Sequence, residues 1–326
     1  MITRRGFLAT GVASAAAAAV EIGAPLPVRA EDDEANRDDK GPGAAGVKFT
    51  WFGTNGWEIT FGNRTILVDP WFGRFDTGFF AGHFDPNTPL PPPREGLIAE
   101  HVTRADQILI GHGHWDHLAD IPFIARNTGA MVIGSETHAN VLRATGKVPE
   151  AQIVQVKGGE FMQFDGYTIE VFPGLHSMGP TKKFAVPGHR FSVPPAPAVV
   201  GDLPEGDSNI YVITIGNGFR IFIMSTANYV ERALTGIRPD VALVASIFGN
   251  QIHDYTRRLM EVLHKPRVVL PTHWDNFELP FEDGPRDLSN VFGRPGSLAA
   301  FVDEVRDASP RTRVVVFDKF FQSFAA

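Results

Sequence analysis

Between His112 and His117 the chain places three imidazoles and one carboxylate in six positions, in the pattern H-x-H-x-D-H. Four side chains of this type so close together cannot all be core residues, because each carries a polar atom that burial leaves in need of a partner. Histidine nitrogen and carboxylate oxygen are the donors that zinc and similar divalent ions take. The chain has no cysteine, which excludes thiolate ligands. Residues 107–110 read as a short buried strand and 121–127 as a helix, so the motif falls on a loop at a strand's carboxyl end. Gly111 and Gly113 give that loop a tight backbone path. His112 and His114 point the same way from an extended loop and can chelate one ion. Asp116 and His117 are offset and reach a second. The competing reading is a polar surface loop rich in histidine.

A chain of 326 residues with 43% hydrophobic content suffices for one large domain or two small ones. Its first thirty residues stand apart. Thr3-Arg4-Arg5-Gly6-Phe7-Leu8 resembles a twin-arginine export signal, an Ala/Val-rich run follows at 9–20, and Val28-Arg29-Ala30 offers a cleavage site. The apolar run is too short to span a bilayer comfortably, and the alternative is an uncut N-terminal anchor. Residues 1–30 are therefore expected to be a signal peptide, with the export machinery as a partner and the periplasm or the exterior as destination. That route carries folded proteins with cofactor already loaded, which agrees with a metal site. Zero cysteines fits an oxidising compartment. Cleavage after Ala30 takes away three bases and one acid, leaving 27 against 36 and a net charge of −9. Nucleic acid is a poor partner for so acidic a chain. Residues 31–46, acidic and then glycine-rich, read as a flexible linker, with the folded domain over 47–326.

Strands are predicted over 47–52, 57–61, 64–68, 131–134, 168–172, 209–215, 219–224, 241–245, 267–270 and 313–317. Helices are predicted over 135–144, 255–263 and 297–307. This mixture calls for two packed sheets with helices outside. Two segments interrupt the pattern, 73–100 and 177–207, both rich in proline and glycine. Loops this long inside a compact domain are usually functional lids or disordered.

Taken with His176 in Gly174-Leu175-His176-Ser177 and His273 in Pro271-Thr272-His273-Trp274-Asp275, the central motif resembles the metallo-β-lactamase superfamily. The resemblance covers most of 47–320. Asp69, at the end of an early strand, matches that family's first motif. Trp51-Phe52-Gly53 and Leu67-Val68-Asp69-Pro70 are most similar to its lactonase-like and phospholipase-like branch. The likeness implies an α/β fold, a four-layer αβ/βα sandwich, with metals at one edge between the sheets. It implies that His112, His114 and His176 hold a first ion, that Asp116, His117 and His273 hold a second, and that Asp69 orients a ligand imidazole. Zinc is the expected metal, as one ion or two, with manganese or iron as alternatives.

The chain departs from the family's pattern in one place. The hydrolase branches carry a bridging aspartate in a G-D-T-like turn, whereas the comparable turn here, Met224-Ser225-Thr226-Ala227-Asn228-Tyr229, has no carboxylate. Asn228 or Ser225 would offer only a neutral oxygen, so the second site should bind less tightly. Asp275 is a candidate to compensate, or else a surface acid. The chemistry implied is hydrolysis by metal-bound hydroxide, with Asp116 as the catalytic proton acceptor. Gly-x-Ser-x-Gly is absent. Trp115 and Trp274 are candidates for an apolar wall, with core packing as the alternative. Phe79, Phe80 and Phe184 suit an apolar group; Lys182, Lys183, His189 and Arg190 suit an anionic one; His83 is placed over the cleft. The expected function is an exported metal-dependent hydrolase acting on a small lactone, ester or phosphodiester. The alternatives are a β-lactam hydrolase and a non-catalytic metal- or ligand-binding protein.

Overall fold

A computed structural model describes residues 46–326. The signal at 1–30 and all but the last residue of the 31–46 linker lie outside the described residues. Six strands run β1 (Lys48–Gly53), β2 (Gly56–Phe61), β3 (Arg64–Val68), β4 (Gln107–Leu109), β5 (Met131–Gly134) and β6 (Ile153–Gln155). Seven more follow: β7 (Phe161–Phe164), β8 (Tyr167–Pro173), β9 (Asn209–Ile215), β10 (Phe219–Met224), β11 (Val241–Ala245), β12 (Val268–Thr272) and β13 (Arg313–Val314). A last strand, β14 (Ser323–Ala325), returns to the first sheet. The sheets have the orders β14-β1-β2-β3-β4-β5-β6 and β13-β12-β11-β10-β9-β8-β7. Each is antiparallel over its earlier strands and parallel over its later ones, from β3 to β6 and from β10 to β13.

The helices are α1 (Glu95–His101), α2 (Trp115–Leu118), α3 (Ile121–Thr128), α4 (Glu136–Thr145), α5 (Tyr255–Val262), α6 (Ser289–Phe292) and α7 (Leu298–Ala308). Their ends follow local chemistry. Ser135 caps α4 and His138 reciprocates, while Gly146 closes the helix in the left-handed region at φ 62°. Helix α3 has Pro122 in its first turn and stops at Gly129, φ 73°.

Parallel strands covered on both faces must be apolar on both, and β4 and β11 are buried throughout. Strand β8 alternates instead, burying Tyr167, Ile169 and Val171. Between the sheets lies one core containing Trp51, Trp57, Ile213, Leu243 and Phe317. A second core packs α3 and α4 against the outer face of the first sheet. A third packs α5 and α7 against the outer face of the second. The arrangement is the four-layer αβ/βα sandwich that the sequence suggested.

Several elements differ from expectation. The motif at 112–117 is only half loop, because Trp115–Leu118 forms a helical turn. Residues 73–100 were read as unbroken loop, yet α1 forms after the proline run at 91–93. Strand β14, which was not expected, pairs with β1. Strands β6, β7 and β14, of three or four residues each, are too short for periodicity to reveal. The two long segments meet in a bridge between Pro89 and Val199. Among the described residues no helix is long and apolar enough to cross a membrane.

Phe317 lies beyond β13, packed against Trp51 and Trp57 with ring centroids 6.2 and 5.4 Å away. Phe317→Ala should cost about 3–5 kcal/mol of stability, the usual loss for a buried aromatic. Denaturant unfolding with an unchanged midpoint would show that this ring does not join the sheets.

Candidate metal centre

Strands from both sheets end at the same edge. Asp69 follows β3, His112 follows β4 by way of Ile110 and Gly111, His176 follows β8, and His273 follows β12. The two sheets are tied there by Asn209 N donating to the Gly111 carbonyl at 2.7 Å. The Tyr211 hydroxyl adds a bond to the Ile110 carbonyl at 2.8 Å. The glycines of the motif serve close approach. A Cβ at Gly111 would sit 1.7 Å from Ser225 Oγ, and one at Gly113 would sit 2.3 Å from the Pro204 carbonyl.

These strand ends converge two donor sets. Asp116 Oδ2 is 3.3 Å from both His117 Nε2 and His273 Nε2, and those two nitrogens are 3.2 Å apart. The three atoms form a nearly equilateral triangle. An ion with tetrahedral bonds of about 2.0–2.1 Å has ligand atoms about 3.3–3.4 Å apart. In the other set, His112 Nε2 and His176 Nε2 are 3.3 Å apart, and one donor atom each from His112, His114 and His176 lies within 4.8 Å of the others. His114 turns Nε2 to the Val186 carbonyl at 3.3 Å, leaving Nδ1 for the cluster. His176 places Nδ1 2.7 Å from the Ser177 carbonyl, leaving Nε2. The spacing and the donor chemistry fit divalent ions in both sets.

The electrostatics of the sets differ. Burial, aided by the neighbouring imidazoles, holds His112 and His176 well below the ordinary histidine range. Burial brings His114 down to about 4. All three are therefore neutral donors at neutral pH. His117 is opposite. Burial works against its charge, but Asp116 and Asp69 outweigh it and raise the group to about 10. Asp116 is likewise opposed by burial, yet His117 and His273 hold it well below the usual carboxylate range.

Asp69 stands behind the ligands. Its Oδ2 accepts from His117 Nδ1 at 2.8 Å, and its Oδ1 accepts from Gly111 N at 2.7 Å. Asn55, which sequence reasoning missed, donates Nδ2 to Asp69 Oδ2 at 2.9 Å and to Ser225 Oγ at 2.8 Å. Ser225 is thus occupied behind the cluster.

Three expected pocket residues are elsewhere. Asp275 is buried with Oδ2 2.8 Å from the Arg74 guanidinium, and its Oδ1 accepts from Thr54 N, so it does not compensate for a missing bridge. Trp274 stacks on Trp51 at 5.0 Å, inside the inter-sheet core. Asn228 donates to the His176 carbonyl at 3.1 Å and supports that loop from outside the cleft. Trp115 does line the cleft, with Phe84 stacked on it at 5.5 Å.

The cleft has a volume of about 300 Å³, and His112, His114, Asp116, His176 and His273 line it, with His117 buried behind them. Phe79, Phe84, Phe184, Phe248 and Phe277 wall it, and Lys183 is the cation among its lining residues. Phe80 packs instead on Phe277 and Phe292. Lys182 reaches the Gln251 carbonyl, His189 lies 3.6 Å from Asp207, and His83 is exposed away from the cleft.

Comparison with known proteins agrees with this geometry. Residues 64–274, which include Asp69 and all six donors, match the family described as the β-lactamase superfamily domain. The chain is 30% identical to a UPF0173 metal-dependent hydrolase of Cupriavidus taiwanensis, over 72% of this chain and 76% of that one. An isothiocyanate hydrolase from Delia radicum gut bacteria has a similar fold, with TM-score 0.52 and 18% identity over 86% of this chain and 99% of that one. So does CmlA, a diiron β-hydroxylase of Streptomyces venezuelae, with TM-score 0.53 and 13% identity over 88% of this chain and 55% of that one.

Asp69→Asn keeps the shape but weakens the acceptor behind His117, and it should lower zinc affinity 10–100-fold with the fold intact. Chelator competition with no change would remove Asp69 from the site. The two sets should also separate on acidification. Asp116 and Asp69 favour the protonated form of His117, which must lose that proton to bind an ion, so the affinity of its set should fall as the pH drops. The three-imidazole set, already neutral, should change little between pH 7 and 5. Metal content after dialysis should therefore fall from two ions toward one over that interval; simultaneous loss of both would contradict the assignment.

Proposed function

The chain belongs to the metallo-β-lactamase superfamily, and on that premise we propose that it is a metal-dependent hydrolase of small, uncharged esters or lactones with apolar substituents. The observation that carries this reading is the placing of two donor sets at the floor of an aromatic cleft. His112, His114 and His176 would hold one ion, and Asp116, His117 and His273 the other. Ions held there supply Lewis acidity and make hydroxide available at neutral pH.

The chain's own residues do the rest. Phe79, Phe84, Trp115 and Phe277 take up an apolar group and exclude water from the floor. Asp69 keeps the His117 ring turned so that Nε2 faces the cleft. Asp116, held ionised by His117 and His273, would orient a nucleophile and accept its proton. Ser177 and Thr226 also line the cleft, but Thr226 Oγ1 is engaged by Ser177 N at 2.8 Å.

A phosphodiester is the second reading. Bound ions would meet its charge at the floor, but the walls are aromatic with one lysine, and that apolar lining favours a neutral carbonyl compound. Export through the twin-arginine machinery to the periplasm or exterior is proposed from the motif at 3–8, the apolar run at 9–20 and the cleavage site at Val28-Arg29-Ala30.

Zinc-loaded protein should hydrolyse aryl esters or aliphatic lactones at least about 100-fold more efficiently than bis-p-nitrophenyl phosphate or a cephalosporin. Phe79→Ala should raise KM for an aryl ester about tenfold and leave kcat nearly unchanged, as expected for loss of uniform binding. Preference for the phosphodiester or the cephalosporin would replace the ester reading. Bound metal without turnover of any of these would favour a binding protein.

A further inference from the structure

We propose that the buried Arg74–Asp275 ion pair is a positioning element for His273, so that the Asp116–His117–His273 donor set depends on it and the His112–His114–His176 set does not. This rests on the reading of those six residues as metal ligands.

The connection is short and specific. His273 has φ 52°, a conformation unusual for a residue with a side chain, and its N–H donates to the Thr54 carbonyl at 2.8 Å. Thr54 is itself at φ 50°. Its carbonyl also accepts from Thr272 Oγ1 at 2.9 Å, and its N–H donates to Asp275 Oδ1 at 2.9 Å. Asp275 therefore holds the one residue against which the His273 backbone is set. Arg74 holds Asp275 in turn, through one N–H 2.8 Å from Oδ2. The guanidinium has no freedom to leave. It donates to the Leu279 carbonyl at 2.6 Å and the Asn276 carbonyl at 2.7 Å, and it packs on the rings of Phe281 and Phe320. Both partners are almost fully buried, so breaking one leaves an uncompensated charge that the surrounding loop must move to solvate.

Arg74 stands five residues after Asp69, so one short segment orients both His117 and His273. His112, His114 and His176 sit on other strand ends, and the hydrogen bonds of the pair run to Thr54, Asn276 and Leu279 instead.

The test uses the full chain in two backgrounds that each keep one donor set. His176→Ala leaves Asp116–His117–His273, and Asp116→Ala leaves the three imidazoles. Cobalt(II) affinity and the visible ligand-field spectrum are read in each, with and without Asp275→Asn. We expect Asp275→Asn to weaken cobalt at least tenfold and alter the spectrum in the first background, and to change affinity less than twofold in the second. Equal losses in both backgrounds, or none in the first, would overturn the proposal. If circular dichroism shows that Asp275→Asn does not fold, Arg74→Lys is read the same way, with a smaller shift in the first background expected and equal shifts overturning it. Cobalt binding needs no substrate, so a protein that hydrolyses nothing still decides the question. A chain that binds cobalt in neither background overturns this proposal and the metal reading together.

Discussion

Nitrogen and oxygen atoms that belong to different strands, and to different sheets, are held about one tetrahedral edge apart at the site. Such closeness is unfavourable for bare donors. Neutral imidazoles present lone pairs to one another, and burial removes the water that would separate them. The fold holds this arrangement in place by packing the sheets face to face through Trp51, Trp57 and their neighbours, so that the strand ends cannot drift apart. Local backbone strain is part of the same arrangement. Thr54, Asp69 and His273 all lie at φ between 40° and 52°, conformations that cost on the order of 1–3 kcal/mol for residues other than glycine. Each lies just past the end of a strand, and His273 thereby turns its ring into the cleft.

Charge is sparse in this centre. Asp116 is the carboxylate among the six donors, and Asp69 acts through His117. Asp275 is taken by Arg74. The walls add aromatic surface and one lysine. A centre with so little negative charge attracts ions less strongly than one with several carboxylates, and a neutral ligand enters it without an unpaired charge of its own.

Much of this was legible in the chain. The H-x-H-x-D-H spacing located the centre, and the apolar runs at 64–68, 131–134, 209–215, 219–224 and 241–245 marked strands at the lengths they adopt. What was hidden depends on contacts between distant residues. Nothing local marks Asn55 as the partner of Asp69, or Arg74 as that of Asp275, 201 positions later. Trp274 takes the core-packing alternative and Asp275 neither of the two offered for it, because their partners, Trp51 and Arg74, are distant in the chain. The left-handed turn at His273 sends that ring to the cleft while its neighbours enter the core and the ion pair. Helix α1 was missed because prolines read as loop, although a proline run can precede a helix without breaking it.

Anomalous diffraction at the zinc edge, on crystals of the zinc-loaded protein, tests the central claim most directly. The account predicts two peaks at the cleft floor. One should lie about 2.0–2.1 Å from nitrogens of His112, His114 and His176, and the other at like distance from His117, His273 and Asp116. Zinc bound elsewhere, or either His176 or His273 left outside the coordination of both ions, would contradict it.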